Sequence, residues 1–291
     1  AAPAWAPAAV TLGRALLAAR RWRQAAEALS AAVALDFGGD AELRAEAAAD
    51  LEEAVELRDE AEAAATRGSQ ERTLSVAGRP LLTTAADDDG ATAGSGPAVG
   101  VWECSVTLAM CLEWKGLDLR GKKVLELGAG LGVAGLGAAL LGGDVVLTDL
   151  EDVVPRTTSR IARHRSLIDA AGGKAVALAY DWGKPLPANV AARGPFDVIV
   201  AADSVYRQDL LAPFLTALNA LAEAETEVYV AHKRRRRDGV VDDFLENALR
   251  GKFADVVEAE CHPLYEAPTL VVWHCRNALD EAMGGLALGG E

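Results

Sequence analysis

Apolar and polar positions follow two different periods along this chain. Residues 8–65 show only the helical period, with Ala, Leu, Glu and Arg dominating. Residues 72–84 alternate around Ala77-Gly78 instead, which predicts a β-hairpin. From Val101 onward, short apolar runs alternate with amphipathic stretches, which predicts an α/β region.

The pattern of apolar positions in the α/β region predicts five helices and seven strands. The helices cover about 103–115, 131–142, 152–171, 208–224 and 239–250. The strands cover about 122–127, 144–149, 174–180, 197–202, 226–232, 253–260 and 268–276. Because no long helix separates the last two strands, we expect a Rossmann-like, mostly parallel seven-stranded sheet whose last strand is antiparallel.

The change of period along the chain predicts two domains. The first is a helical extension over 1–68, and the second covers 69–291. Small and large residues match the spacing of one tetratricopeptide repeat at Leu12-Gly13, Leu16, Ala25, Leu29 and Ala32. No second copy follows, so we predict one TPR-like helical hairpin and a third helix over about 41–66. We expect this extension to be a helical cap, with a peptide-binding or dimerising module as the alternative.

A glycine turn joins the first two predicted strands. Residues 122–149 read KKVLELGAGLGVAGLGAALLGGDVVLTD, with Gly128, Gly130 and Gly132 between a strand and a small-residue helix. Asp149 ends the second strand, where a carboxylate accepts hydrogen bonds from ribose hydroxyls. The pattern is typical of the first half of a nucleotide-type βαβ unit.

The spacing around this turn selects among ligands. A dinucleotide fingerprint requires Gly or Ala where Val133 stands, and a P-loop requires a Lys-Ser/Thr pair that does not follow. The carboxylate of Glu126 suits the ammonium or sulfonium of S-adenosylmethionine and would repel a pyrophosphate. We therefore predict an S-adenosylmethionine site, and a dinucleotide site or a ligand-free turn are the alternatives.

Polar and aromatic residues also end the third and fourth strands, which meet the first two at one edge of a parallel sheet. The third strand ends in Tyr180-Asp181-Trp182-Gly183 and the fourth in Ala201-Ala202-Asp203-Ser204-Val205-Tyr206. Alternatively, Asp181-Trp182 forms an ordinary turn, and Asp203 and Tyr206 cap the following helix.

Charge and composition favour some compartments and partners of the protein over others. The formal net charge of −14 disfavours nucleic acid and tolerates a basic partner, and no stretch is a credible membrane span. The scattered cysteines predict reduced thiols, and the histidines form no metal-binding pattern. We expect a cytoplasmic protein, with the nucleus or an organelle such as a plastid as alternatives. The chain begins at Ala1 without a methionine, which leaves open whether an N-terminal segment is missing.

A basic run follows the fifth predicted strand. Residues 233–237 read KRRRR. We predict that this run is a solvated loop, with a nuclear-localisation signal as the alternative.

Five motifs together resemble the seven-β-strand protein-lysine methyltransferases, over about residues 70–280. They are Val101-Trp102-Glu103, Leu125-Glu126-Leu127-Gly128-Ala129-Gly130, Thr148-Asp149-Leu150, Asp181-Trp182-Gly183 and Asp203-Ser204-Val205-Tyr206. Within that family, the last motif is similar to the Asp/Glu-x-x-Tyr box of the methyltransferase-like group. The resemblance implies a class I methyltransferase fold.

The resemblance also implies roles for individual residues. Trp182 would pack on adenine, Asp149 would hold the ribose, and Asp203 and Tyr206 would edge a lysine channel and act in catalysis. Glu126, which precedes the glycine turn, and Asp181, at the end of the third strand, are added to the residues that the resemblance implies. The predicted cofactor-binding set is Trp102, Glu126, Gly128, Ala129, Gly130, Asp149, Asp181, Trp182 and Ala202.

The function predicted from these residues is S-adenosylmethionine-dependent methylation of a lysine in a folded protein. By resemblance, chaperones and translation factors are candidate substrates. A small-molecule or RNA methyltransferase is one alternative, although the Asp203-to-Tyr206 box lacks the prolines of adenine N6 enzymes. A non-catalytic methyltransferase-like adaptor is the other alternative.

Overall fold

The first compact unit of the structure is helical. A computed structural model describes residues 5–19, 21–35, 37, 40–69, 73–82, 100–235 and 239–277 of the 291 in the chain. The first unit contains α1 (Trp5–Ala18), α2 (Trp22–Val33) and α3 (Ala41–Ser69). Helices α1 and α2 approach closely because Gly13 has no side chain: a Cβ there would lie 2.4 Å from Leu29 Cγ. The predicted hairpin and third helix are therefore present.

The second compact unit contains the hairpin and the α/β region. Its strands are β1 (Thr73–Val76), β2 (Arg79–Leu82), β3 (Lys123–Leu127), β4 (Asp144–Asp149), β5 (Lys174–Ala179), β6 (Val198–Ala202), β7 (Glu227–Lys233), β8 (Asp255–Glu258) and β9 (Leu270–Arg276). Its helices are α4 (Glu103–Trp114), α5 (Val133–Leu140), α6 (Val154–Ala170), α7 (Ala188–Ala191), α8 (Leu211–Leu221) and α9 (Gly239–Lys252).

The main sheet has seven strands in the order β5-β4-β3-β6-β7-β9-β8. Strands β3 to β7 are parallel, and β9 is antiparallel to both of its neighbours, β7 and β8. The order reverses at β3, where the chain first runs outward to β5 and then returns to β6. Ligands of such sheets bind outside the carboxyl ends of the strands, beside this reversal. The predicted class I methyltransferase fold, with its antiparallel last strand, is confirmed.

The central strands are buried on both faces. Leu125 and Leu127 on β3 point into a core shared with α8 and α9, where Phe214 and Leu249 are fully buried. Glu126 points to the opposite face, because side chains alternate along a strand. Burial on both faces explains why these strands are continuous apolar runs.

The predicted bounds lie within three residues of the observed ones, and three elements also differ in type, length or existence. The predicted helix 208–224 begins as a 3₁₀-helix over Gln208–Leu210 and becomes α8 at Leu211. Strand β8 is shorter than predicted, and the single turn α7 was not predicted. Short elements lack the repeated apolar positions that make longer ones recognisable.

Three further properties concern the described residues. No helix among them is long and apolar enough to cross a membrane. All four cysteines are buried free thiols. Within the same ranges, no three His, Cys, Asp or Glu side chains form a group that suits a metal ion.

Candidate active site at the carboxyl edge of the sheet

The parallel register brings four strand ends to one edge of the sheet. Leu127 on β3 pairs with Thr148 on β4, and Asp149 pairs with Ala179 at the end of β5. On the other side of β3, Ala202 ends β6 opposite Ala231 on β7. The loops that follow these strands therefore start side by side.

The glycine turn after β3 lies against two of the other loops. Gly128 has a left-handed φ of +72°, and a Cβ there would lie 2.9 Å from Ser204 Oγ and 3.2 Å from Trp182 Cη2. Ser204 Oγ in turn donates to the Leu127 carbonyl at 2.8 Å. Only glycine fits this position, since a side chain would meet both neighbours.

Asp149 holds the same turn from β4. Its Oδ2 accepts a hydrogen bond from the Gly130 amide at 2.7 Å, and its Oδ1 accepts from the Leu150 amide at 2.7 Å. The amide of Ala129 donates to the Thr148 carbonyl at 2.9 Å. A carboxylate oxygen accepts more than one hydrogen bond, so these backbone contacts are compatible with acceptance from ribose hydroxyls by the partly buried group.

Trp182 presents a polar atom that fits a ligand. Its ring packs edge-on against Phe214, with ring centroids 5.4 Å apart. Its indole Nε1 is buried, and no described residue accepts a hydrogen bond from it. A buried N–H group without an acceptor costs free energy, which a bound adenosine moiety would recover. Asp181 is half-exposed, and its Oδ1 accepts from the Gly183 amide at 3.2 Å.

Helix α6 supports the glycine turn through two residues that the sequence analysis missed. Thr157 Oγ1 donates to the Gly130 carbonyl at 2.7 Å, and Arg160 Nε donates to the Leu131 carbonyl at 2.8 Å. Both residues are about 1% exposed. Their spacing of three residues on the helix after Asp149 is the sequence signal that points to them.

Glu126 points to the face of β3 that α5 covers. It is 1% exposed, and its Oε2 accepts a hydrogen bond from the Gly135 amide of α5 at 3.0 Å. Burial raises its pKa to about 8; the Gly135 hydrogen bond opposes this shift and the charge of Asp149 adds to it. The structure therefore shows Glu126 bonded to a helix amide, and its contact with the cofactor stays a prediction.

Asp203 is held in a buried ion pair. Its Oδ1 and Oδ2 accept from Arg235 Nη1 and Nη2 at 3.0 and 2.8 Å, and each side chain is 4% exposed. Asp203 has a left-handed φ of +53°, and its amide donates to the Ala231 carbonyl at 2.8 Å. Burial favours a high pKa for Asp203, but the charge and hydrogen bonds of Arg235 lower that pKa overall.

This pair corrects the prediction for the basic run. The expectation of a solvated loop is wrong for Arg235, which is 6% exposed, because β7 ends beside Asp203 and directs the guanidinium inward. Arg234 agrees with the expectation of a solvated position, since its side chain is 41% exposed and pairs with Glu258. Lys233 pairs with Glu103 at 3.4 Å. Arg236 and Arg237 lie outside the described residues.

The remaining predicted residues border the same edge. Tyr206 follows Asp203 by three positions and is partly buried with its hydroxyl inside. Ala202 is the last residue of β6. Trp102 is the N-cap of α4, which packs on β6 and β7.

A comparison with known families identifies the family of this chain. The profile of the lysine methyltransferase family matches residues 87–250. The chain belongs to the lysine methyltransferase family. Membership makes the protein an S-adenosylmethionine-dependent methyltransferase, and the predicted family, enzyme class and cofactor are confirmed. The left-handed glycine turn, the Asp149 acceptors and the buried Trp182 N–H fit that cofactor.

Several curated lysine methyltransferases are similar to this chain. Protein N-lysine methyltransferase METTL21A of Danio rerio is 36% identical over 161 residues, which are 55% of this chain and 70% of that protein. EEF1A lysine methyltransferase 3 of Mus musculus is 35% identical over 54% of this chain and 65% of that protein. The match to the mouse enzyme thus spans slightly less than two thirds of its length.

Solved methyltransferase structures are also similar to this chain. A TehB-like S-adenosylmethionine-dependent methyltransferase from Corynebacterium glutamicum has a TM-score of 0.43 at 20% identity, over 59% of this chain and 88% of that one. The 16S rRNA methyltransferase RsmC of T. thermophilus has a TM-score of 0.47 at 19% identity, over 72% and 50% respectively.

Proposed function

We propose that this lysine methyltransferase methylates a lysine ε-amine of a folded protein at the carboxyl edge of its sheet. The observation that carries the proposal is the meeting of two clusters there. The Gly128 turn touches Trp182 and Ser204, and Asp203, which directly precedes Ser204, forms the buried pair with Arg235. One cluster suits an adenosine cofactor and the other suits an amine.

In this proposal the cofactor cluster binds S-adenosylmethionine. Asp149 accepts the ribose hydroxyls, Trp182 packs on the adenine, and the glycine turn admits the ligand close to the backbone. Trp102, Ala129, Gly130, Asp181 and Ala202 complete the pocket. When bound, S-adenosylmethionine supplies an electrophilic methyl group.

The chain must then present a neutral amine in line with that methyl group. The nitrogen lone pair forms the new N–C bond as the C–S bond breaks, and a proton leaves the nitrogen for water. Free lysine has a pKa of about 10.4, so the site gains rate by admitting the deprotonated form and aligning it. Asp203 accepts a hydrogen bond from the amine, and Tyr206 shapes the channel.

The acceptor in this proposal is a folded protein such as a translation factor. Relatives of this chain are named for lysines of EEF1A, which supports that class. The net charge of −14 favours a basic protein surface over RNA. Cytoplasmic localisation and the division at residue 68 stay predictions. The helical extension stays a predicted cap.

Labelled methyl transfer tests the acceptor class. The purified protein and tritiated S-adenosylmethionine are incubated with whole-cell lysate, lysate acetylated on its lysines, RNase-treated lysate and a small-molecule filtrate. We expect label in protein from the untreated and RNase-treated lysates, and none after acetylation. Label in RNA or in the filtrate would support an alternative substrate, and label that survives acetylation would exclude lysine. Purified EEF1A is the first defined acceptor to assay.

Calorimetry tests the cofactor assignment separately. Asp149→Asn keeps the size of the side chain but removes the charge that strengthens its hydrogen bonds, each worth about 1.5–3 kcal/mol. We expect the Kd for S-adenosylmethionine to rise by about tenfold or more. Asp144→Asn, at the opposite end of β4, is the matched control and should leave Kd unchanged. Equal Kd values for the two variants would contradict the ribose role.

A further inference from the structure

Arg235 lies in a place that the lysine-channel proposal does not explain. Its guanidinium approaches Asp203 as a fork, with one N–H group on each carboxylate oxygen. Arg235 Nη1 also lies 3.4 Å from the Lys233 carbonyl, which ties the fork to the end of β7. An arginine is always charged, and its planar fork fixes a carboxylate in one orientation. Asp203 is therefore ionised, oriented and electrically balanced before any substrate arrives.

The surroundings of Asp203 leave this balancing role to Arg235. Among the described residues, the titratable and charged groups that act on Asp203 include Arg235, His232 and Lys233 from β7 and the segment after it, and Cys104 from α4. Lys233 Nζ is already 3.4 Å from Glu103, and His232 Nε2 is 2.5 Å from Asp242 on α9. Arg235 contacts both carboxylate oxygens of Asp203 directly.

We infer that Arg235 is a positioning residue of the lysine channel, which orients the Asp203 carboxylate and cancels its charge so that the acceptor lysine binds as the free amine. This inference rests on the proposed function. A carboxylate without a partner stabilises a neighbouring ammonium and raises the pKa of that amine. A carboxylate paired with a guanidinium does so far less, yet each of its oxygens still accepts an N–H hydrogen bond.

Removal of the guanidinium should move the pH dependence of methyl transfer to higher pH. In Arg235→Met, Asp203 either stays ionised and holds the lysine as an ammonium, or takes up a proton because it is buried. Both changes require a higher pH before a free amine meets an ionised Asp203. The acid limb of the kcat/KM profile therefore moves to higher pH by about one unit or more, and the rate at neutral pH falls about tenfold.

The experiment measures methyl transfer from labelled S-adenosylmethionine to whole-lysate protein as a function of pH. Three variants are compared with the wild type: Arg235→Met, Arg235→Lys and Arg234→Met. Arg234→Met is the matched control, because Arg234 precedes Arg235 but pairs with Glu258 at the surface. Arg235→Lys keeps the charge without the fork, so we expect a shift between those of the wild type and Arg235→Met. Arg234→Met should reproduce the wild-type profile.

Two outcomes overturn the inference. One is a wild-type profile for Arg235→Met, and the other is a loss of rate that is equal at every pH, which indicates a structural role only. If Arg235→Met does not fold, Arg235→Lys decides by the same criterion. Calorimetric Kd values for S-adenosylmethionine should agree among all variants.

A measurement without acceptor separates this inference from the proposed function. Unfolding of the wild type and Arg235→Met is compared across acidic to neutral pH. The pair stabilises the wild type above the unfolded pKa of Asp203, while an unpaired buried carboxylate destabilises the variant there. The gap in stability should therefore widen as pH rises. A gap independent of pH overturns the role of Arg235 even if no lysine is labelled, whereas a widening gap without lysine labelling overturns the proposed function alone.

Discussion

At the scale of single residues, the Glu126 carboxyl gives the stability of this enzyme a pH dependence of its own. It lies under α5 with one described hydrogen bond, from the Gly135 amide. Burial raises its pKa from 4.5 to about 8, so the folded state binds this proton more tightly than the unfolded chain does. The stabilisation is fully present below the unfolded pKa and is lost as pH rises through the folded value.

Glu126→Gln tests this property. The amide oxygen of glutamine is still able to accept from the Gly135 amide, but the side chain does not ionise. We expect the variant to gain stability relative to the wild type as pH rises from 4.5 to about 8. Urea unfolding across that range measures the difference. Glu151→Gln, at an exposed position, is the control. A difference that does not change with pH would mean that Glu126 ionises freely in the folded state.

The positions of two side chains, Glu126 and Arg235, were not predictable from the sequence. The acidic residue before the glycines was recognisable, but its side chain direction depends on α5, which covers that face of β3. Arg235 stood inside a run of like charges, and nothing in the run distinguishes it from Arg234. Its burial follows from the neighbouring strand that carries Asp203. Partners that come from distant parts of the chain determine these roles.

At the scale of elements, α6 works as a support for the cofactor turn. The turn carbonyls of Gly130 and Leu131 accept hydrogen bonds from Thr157 and Arg160 of this helix. Asp149 binds the amide of Gly130 from the other side. The left-handed φ of +53° at Gly130 is thus held from both sides by side chains.

Thr157→Val tests the support without a change in shape. Valine fills the same space but leaves the partly buried Gly130 carbonyl without the Thr157 donor, which costs about 1 kcal/mol of stability. We also expect weaker S-adenosylmethionine binding by calorimetry, because the turn loses one of its supports. Thr216→Val on α8 removes an exposed hydroxyl bonded within its own helix and is the control. If both variants bind the cofactor equally well, α6 does not order the turn.

The sequence was most informative about the helices and strands of the second unit. The alternation of apolar runs and amphipathic stretches predicted all seven strands of the sheet and the long helices, because buried parallel strands are continuous apolar runs. It also predicted which loops share an edge, since carboxyl ends of parallel strands coincide. The insertion of β9 between β7 and β8 was not predictable, because strand order depends on pairing rather than on local pattern.

At the scale of the whole molecule, charge connects composition to the choice of acceptor. Asp and Glu number 43 against 29 Lys and Arg, so the formal net charge is −14. A protein with such a balance attracts basic surfaces over distances longer than a hydrogen bond, and salt screens that attraction. At the proposed site, the Asp203–Arg235 pair is buried, and screening there is weaker.

The proposed acceptor therefore predicts a specific dependence on salt. We expect kcat/KM for a basic protein acceptor to fall as ionic strength rises from about 0.01 M to about 0.15 M, while kcat stays constant. The reason is that salt weakens the encounter of the two proteins and leaves the bound geometry unchanged. Steady-state methylation at several salt concentrations measures both constants. An acidic protein of similar size, assayed in parallel, should show the opposite trend or no methylation. If kcat falls with kcat/KM, salt acts on the site instead, and long-range charge does not select the acceptor.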